Sequence, residues 1–196
     1  SATTDHFRVI GTTSKATMEL VGKLAEAQMK TVRSVVPAEP GEPFYKGRAT
    51  IFVLPKRYDY SEFAKMVEQR GVPSNWTSHW KFNGIDAYVA LVATEQDEEE
   101  AIETRLISPL TALAVATRGG DIPHWFAEGV GAVTASRKAK LDRDQRQRLE
   151  AETIESVTAM KDAKSFLGGK MSPKQADRIG AAIATTMLDR TQRRKF

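Results

Sequence analysis

The sequence of 196 residues contains no cysteine. A disulfide scaffold, a thiolate metal site and a cysteine nucleophile are therefore excluded. No apolar run approaches the roughly 20 residues that a membrane-spanning helix requires, so we predict no membrane span. Common catalytic signatures are also missing, because there is no Gly-rich phosphate loop, no nucleophile elbow and no His-Glu-x-x-His motif.

The composition is that of an ordinary globular chain, with 41% apolar and 28% charged residues. This length and apolar fraction suit one domain with a normal buried core. We therefore predict a single domain over residues 1–196. Residues 193–196 give no stop signal for a final helix, which leaves open a truncation at the C-terminus.

Charge is distributed unevenly along the chain. Residues 137–196 hold 15 Lys and Arg against 8 Asp and Glu, whereas residues 1–136 hold 14 against 17. A basic segment of this kind can contact nucleic acid or an anionic surface. However, its cations alternate with acids, and no aromatic residue between Phe126 and Phe166 offers a platform for stacking bases. We therefore do not expect nucleic acid as a partner.

The order of elements favours an α+β fold. Alternating, β-branched segments predict strands at residues 7–12, 48–54 and 85–92, and residues 76–82 are expected to form an aromatic-rich loop. Helical spacing of apolar residues dominates the second half. We expect a short mixed sheet of about three or four strands in the N-terminal half and a helical C-terminal half. Pro109 is expected to kink or split the helix in which it lies.

Residues 119–132 read Gly-Gly-Asp-Ile-Pro-His-Trp-Phe-Ala-Glu-Gly-Val-Gly-Ala. This segment resembles the second metal helix of the gluzincin zinc metallopeptidases, in the small peptidase MA-like bacterial versions, and the order of elements is similar as well. The resemblance implies a metallopeptidase-like architecture. In it, Glu128 matches the third zinc ligand and residues 85–92 match the strand whose edge cradles the substrate. It also implies export from a bacterium to the periplasm or cell surface.

The preceding helix departs from the family. Where the family carries two His ligands and a catalytic Glu, residues 107–111 are Ile-Ser-Pro-Leu-Thr. Catalytic zinc needs about three protein ligands and an open water site. Without the metal, nothing lowers the pKa of a water molecule towards about 7. We therefore predict a catalytically inactive, metallopeptidase-like pseudoenzyme with no catalytic residues, no metal and no other cofactor.

Such a domain is expected to act by binding or scaffolding. The former cleft would persist as a groove between the edge of strand 85–92 and the helix that carries Trp125. An extended peptide can add a strand to an unpaired sheet edge, and aromatic side chains contribute strongly to recognition. The predicted partner is a peptide or protein, within a larger envelope assembly. The candidate groove residues are His79, Trp80, Tyr88, His124, Trp125 and Glu128.

Two other functions remain open. The first is an active hydrolase, a peptidase or glycosidase, with a non-standard site around Glu128. His124 lies four residues earlier on the same predicted helix face, and His79 would supply a third metal ligand. A metal-free version needs a second carboxylate, for which Glu103 is the nearest candidate. The second function is a purely structural module of an envelope protein.

Overall fold

The structure is a computed structural model that describes residues 1–36, 43–45, 47–139, 141–168 and 170–188. Contacts within the chain group it into two compact units, Ser1–Gly119 and Gly120–Phe196. The prediction of one domain over residues 1–196 stays a prediction. Residues 193–196, on which the question of truncation depends, lie outside the described residues.

The first unit contains one five-stranded mixed sheet. Its strands are β1 (Ala2–Thr3), β2 (Phe7–Gly11), β3 (Ala49–Leu54), β4 (Ser78–Phe82) and β5 (Ala87–Val92). The order is β1-β2-β3-β5-β4, with β2, β3 and β5 parallel and both outer strands antiparallel to their neighbours.

A mixed sheet in the N-terminal half is thus confirmed, but the expected number of three or four strands is wrong. The sequence did not reveal β1, which is two residues long, or β4, which lies in the segment expected to be an aromatic-rich loop. In β4 the adjacent His79 and Trp80 are both buried. The strand therefore lacks the alternation of buried and exposed residues by which a half-exposed strand is recognised.

Three helices cover the sheet: α1 (Lys15–Val35), α2 (Arg57–Glu68) and α3 (Glu99–Ala116). Val9 and its register partner Ile51 point to the face that α1 covers, and α3 packs beside α1. The opposite face packs against α2, where the Phe63 ring lies 4.9 Å from that of Phe52. The first unit is therefore layered, with helices on both faces of the sheet.

Helix α3 runs without interruption through Pro109. Of the two expected effects of Pro109, a split of the helix is therefore wrong, and a kink stays a prediction. The Thr111 hydroxyl donates to the Ile107 carbonyl oxygen at 2.8 Å, which adds a hydrogen bond in the turn around the proline. The half of α3 from residue 109 to residue 116 is buried on every side, as expected for a helix that is apolar all round.

The second unit contains only helices among its described residues. They are α4 (His124–Lys138), α5 (Arg143–Thr158), α6 (Ala163–Leu167) and α7 (Pro173–Leu188). Helices α4 and α7 pack most closely, because Gly129 and Gly180 let their backbones meet: a Cβ on Gly129 would lie 2.3 Å from the Gly180 carbonyl oxygen. A capping box of Asp142 and Gln145 begins α5. With four of the seven described helices here, the predicted helical C-terminal half is confirmed.

No described helix combines the length and apolar character needed to cross a membrane.

Candidate functional site

Residues 107–111, where the resembled family carries its metal ligands and base, lie within the apolar second half of α3. Ile107, Pro109, Leu110 and Thr111 are buried, and Leu110 and Thr111 have no exposed surface. None of these side chains is a metal ligand or a general base at neutral pH. Among the described residues, no group of three or more His, Cys, Asp or Glu side chains is placed to hold a metal ion. The prediction that no metal binds remains a prediction.

His79 is buried in the first unit with both ring nitrogens engaged. Nε2 lies 2.7 Å from Glu68 Oε1, and Nδ1 lies 2.5 Å from the Tyr60 hydroxyl. Because an ionised carboxylate only accepts hydrogen bonds, Nε2 carries the proton and donates, and Nδ1 accepts from Tyr60 when the ring is neutral. His79 can therefore serve as a zinc ligand, as the hydrolase alternative requires, only by breaking these bonds.

Glu68 is the centre of this arrangement, which we call the Glu68 network (Tyr60, Glu68, Arg70, His79 and Tyr88). Its fully buried carboxylate also accepts from the Tyr88 hydroxyl at 2.6 Å and from Arg70 Nε at 2.5 Å. Burial alone raises the pKa of Glu68, but the hydrogen bonds from His79, Tyr88 and Arg70 outweigh it and lower the pKa to about 2. Burial and the Glu68 carboxylate raise the pKa of Tyr88. The network joins the end of α2 to β4 and β5.

The sequence did not single out Glu68 or Tyr60. Both lie on α2, and a single Glu on an amphipathic helix is normally solvated. Of the candidates, the structure brings His79 and Tyr88 together on Glu68. Trp80, which is opposite Val89 in the register, points to the other face of the sheet. Trp80 and Tyr88 therefore do not form one groove wall.

The strand predicted to offer a free edge does not have one. β5 pairs with β3 on one side and with β4 on the other, so residues 87–92 are internal to the sheet. The edge belongs instead to β4. The Val92 amide donates to the Thr77 carbonyl oxygen, and in an antiparallel pair the bonded positions alternate. The backbone amides and carbonyls of Ser78, Trp80 and Phe82 consequently point away from β5, towards the outer edge.

The other candidates lie in the second unit, at the start of α4. His124 is exposed, and Trp125 is half-buried with its ring 4.9 Å from that of Phe166. Glu128 is half-buried, and its charge acts on Asp177 of α7. Burial and the Glu128 carboxylate together raise the pKa of Asp177 to about 7, although the charge of Arg178 opposes this. The sequence did not reveal Asp177, because it lies 49 residues from Glu128 in the chain. Glu103, the candidate that the sequence suggested, lies on α3 of the first unit.

Comparison with protein-family models finds no match, and comparison with curated proteins finds none either. The resemblance to the gluzincins therefore rests on residues 119–132 and on the order of elements.

Replacing Asp177 with asparagine is expected to stabilise the second unit at neutral and alkaline pH. A carboxyl whose pKa is raised on folding contributes stability below its unfolded pKa of about 4, and that contribution is lost as pH rises to about 7. The loss is on the order of 3 kcal/mol. Hydrogen exchange of α4 and α7 at pH 5 and pH 8 measures it: protection should fall with pH in the wild type but not in Asp177→Asn. Glu155→Gln, at an exposed position of α5, should behave like the wild type.

Proposed function

We propose that the chain is a metallopeptidase-like domain without catalytic activity that binds an extended segment of a peptide or protein partner. The observation that carries the proposal is the outer edge of β4, where Ser78, Trp80 and Phe82 direct their backbone groups away from the sheet. Among the described residues, no strand pairs with this edge.

A row of outward N–H and C=O groups is a template for one more strand. Main-chain hydrogen bonds supply the affinity in such complexes, and the side chains on the two faces supply selectivity. β4 is a suitable template because helices hold it on both faces of the sheet. Helix α3 packs against one face, and the Glu68 network joins the other face to α2. A rigid edge has less conformational entropy to lose on binding than a mobile one.

The proposed architecture assigns to β4 the role that the resemblance gave to residues 85–92. In this proposal, the substrate edge persists beside α3, whereas the catalytic segment 107–111 has become apolar and buried. A chain of this kind retains peptide recognition without hydrolysis, since neither a metal ligand nor a base is present in that segment. The proposed location is the bacterial periplasm or cell surface, and the proposed partner belongs to an envelope assembly; both follow from the resemblance.

An immobilised array of random decapeptides tests the binding. We expect the wild type to bind a subset of the peptides. Ser78→Pro should reduce this binding at least about tenfold, because it removes an edge N–H that β5 does not use. Ser78→Ala keeps that N–H and is the matched control, with binding close to the wild type. Absence of binding by the wild type, or equal binding by Ser78→Pro, would contradict the proposal.

Metal analysis tests the absence of catalytic zinc. After purification and dialysis against zinc-containing and then zinc-free buffer, we expect far less than one zinc ion per chain. Peptidase activity on a casein substrate should be absent and should not appear when zinc is added. Stoichiometric zinc, or hydrolysis that a chelator abolishes, would show that the chain is an active metallopeptidase.

A further inference from the structure

Lys81 is the lysine of β4, the strand at the outer edge of the sheet. His79 and Lys81 point to the α2 face of the sheet, and Ser78, Trp80 and Phe82 point to the α3 face. The imidazole of His79 is held by Tyr60 and Glu68. Lys81 forms no ion pair with any carboxylate in the described part of the chain.

The acidic groups near Lys81 form their described contacts with other side chains. Its register partner across the sheet is Tyr88, whose hydroxyl donates to Glu68. The Glu68 carboxylate is already paired with Arg70 and His79. Asp86 is diagonally adjacent, but it accepts a hydrogen bond from the Asn83 amide within the turn between β4 and β5. Lys81 therefore has no carboxylate as an ion-pair partner among the described residues, and it lies on the strand beside which an added strand would pair.

We infer that the strand bound at β4 carries an acidic residue opposite Lys81, flanked on both sides by apolar residues. This inference rests on the proposed function. Directly opposite residues of paired strands have Cβ atoms about 5 Å apart, which suits a Lys–Glu pair. The flanking residues lie opposite Trp80 and Phe82 on the other face, where aromatic and β-branched partners are favoured. The apolar-acidic-apolar order reads the same in both chain directions, so parallel and antiparallel strands satisfy it.

Fluorescence polarisation with three labelled peptides tests the inference. The probe is acetyl-Ser-Thr-Val-Glu-Val-Thr-Ser-amide, and the other two peptides carry Gln or Lys in place of Glu. A cross-strand charge pair is worth up to about fivefold in affinity. We therefore expect the Glu peptide to bind the wild type up to about fivefold more tightly than the Gln peptide, and the Lys peptide to bind most weakly.

Charge reversal at the protein completes the test. Lys81→Glu should reverse the preference so that the Lys peptide binds best, and Lys81→Gln should remove the preference while the protein stays folded. Lys23→Glu, at an exposed position on α1, changes the net charge equally and should leave the preference unchanged. If Ser78→Pro abolishes binding but the three peptides bind alike, the inference is overturned and the proposed function stands. If the wild type forms a dimer that Ser78→Pro dissociates, the occupant is a second copy and the inference is likewise overturned.

Discussion

Replacing Gly129 with alanine is expected to destabilise the second unit by about 2 kcal/mol or more. A Cβ at this position would lie 2.3 Å from the Gly180 carbonyl oxygen and 2.5 Å from its carbonyl carbon, both backbone atoms of α7. Neither helix can relieve that overlap by rotating a side chain, so α4 and α7 have to move apart. Overpacking of a close contact costs about 1–3 kcal/mol or more. Alanine returns only about 1 kcal/mol through its helix propensity.

Hydrogen exchange of α4 and α7 measures this loss, because it reports on the second unit alone. Ser136→Ala is the matched control: it introduces alanine at an exposed position of the same helix and should change stability by no more than about 0.5 kcal/mol. Gly180→Ala should reproduce the effect from the other helix, since its Cβ would lie 2.5 Å from the Trp125 carbonyl oxygen. A Gly129→Ala protein as stable as Ser136→Ala would show that α4 and α7 do not pack this closely.

The fold was predictable where one local signal is strong. β3 follows the alternation of its side chains, and α1 follows the three-and-four spacing of its apolar residues, with Ser14 as its N-cap. β4 was not predictable in the same way, because His79 and Trp80, which lie on opposite faces, are both buried and the pattern is not periodic. The internal position of β5 depends on β4, so the error about the free edge followed from the missed strand.

The candidate site was less predictable than the fold, because its residues are distant in the chain. The sequence names His79 and Tyr88 as candidate groove residues, but the acid that joins them, Glu68, lies 11 and 20 residues away on a helix. Asp177 and Glu128 are similarly separated. Pairings of this kind depend on how helices pack, which no local pattern in a single sequence encodes.

Replacing Glu68 with alanine is expected to destabilise the first unit by about 3–5 kcal/mol. The carboxylate is fully buried and accepts from three donors. Its removal leaves the His79 and Tyr88 donors without their acceptor in a buried environment, and breaking a buried charged network has a cost of this size. Urea unfolding monitored by the hydrogen exchange of β4 and β5 measures this loss of stability. Glu62→Ala is the matched control on the same helix, because the exposed pair of Glu62 with Lys65 at 3.9 Å should contribute less than about 1 kcal/mol.

The dependence of stability on acidic pH distinguishes the contribution of the Glu68 charge from the contribution of its packing. Its folded pKa, about 2, lies below the ordinary value of 4.5. A carboxyl of this kind contributes stability above its unfolded pKa and loses that contribution as pH falls from about 4.5 to about 2. The contribution is about 3 kcal/mol. The stability difference between the wild type and Glu68→Gln should therefore shrink across this interval, whereas the difference between the wild type and Glu62→Gln should stay small. If the stability difference between the wild type and Glu68→Gln stays constant between pH 5 and pH 2, Glu68 stabilises the fold through its shape. The ionisation of its carboxyl group then contributes nothing to stability.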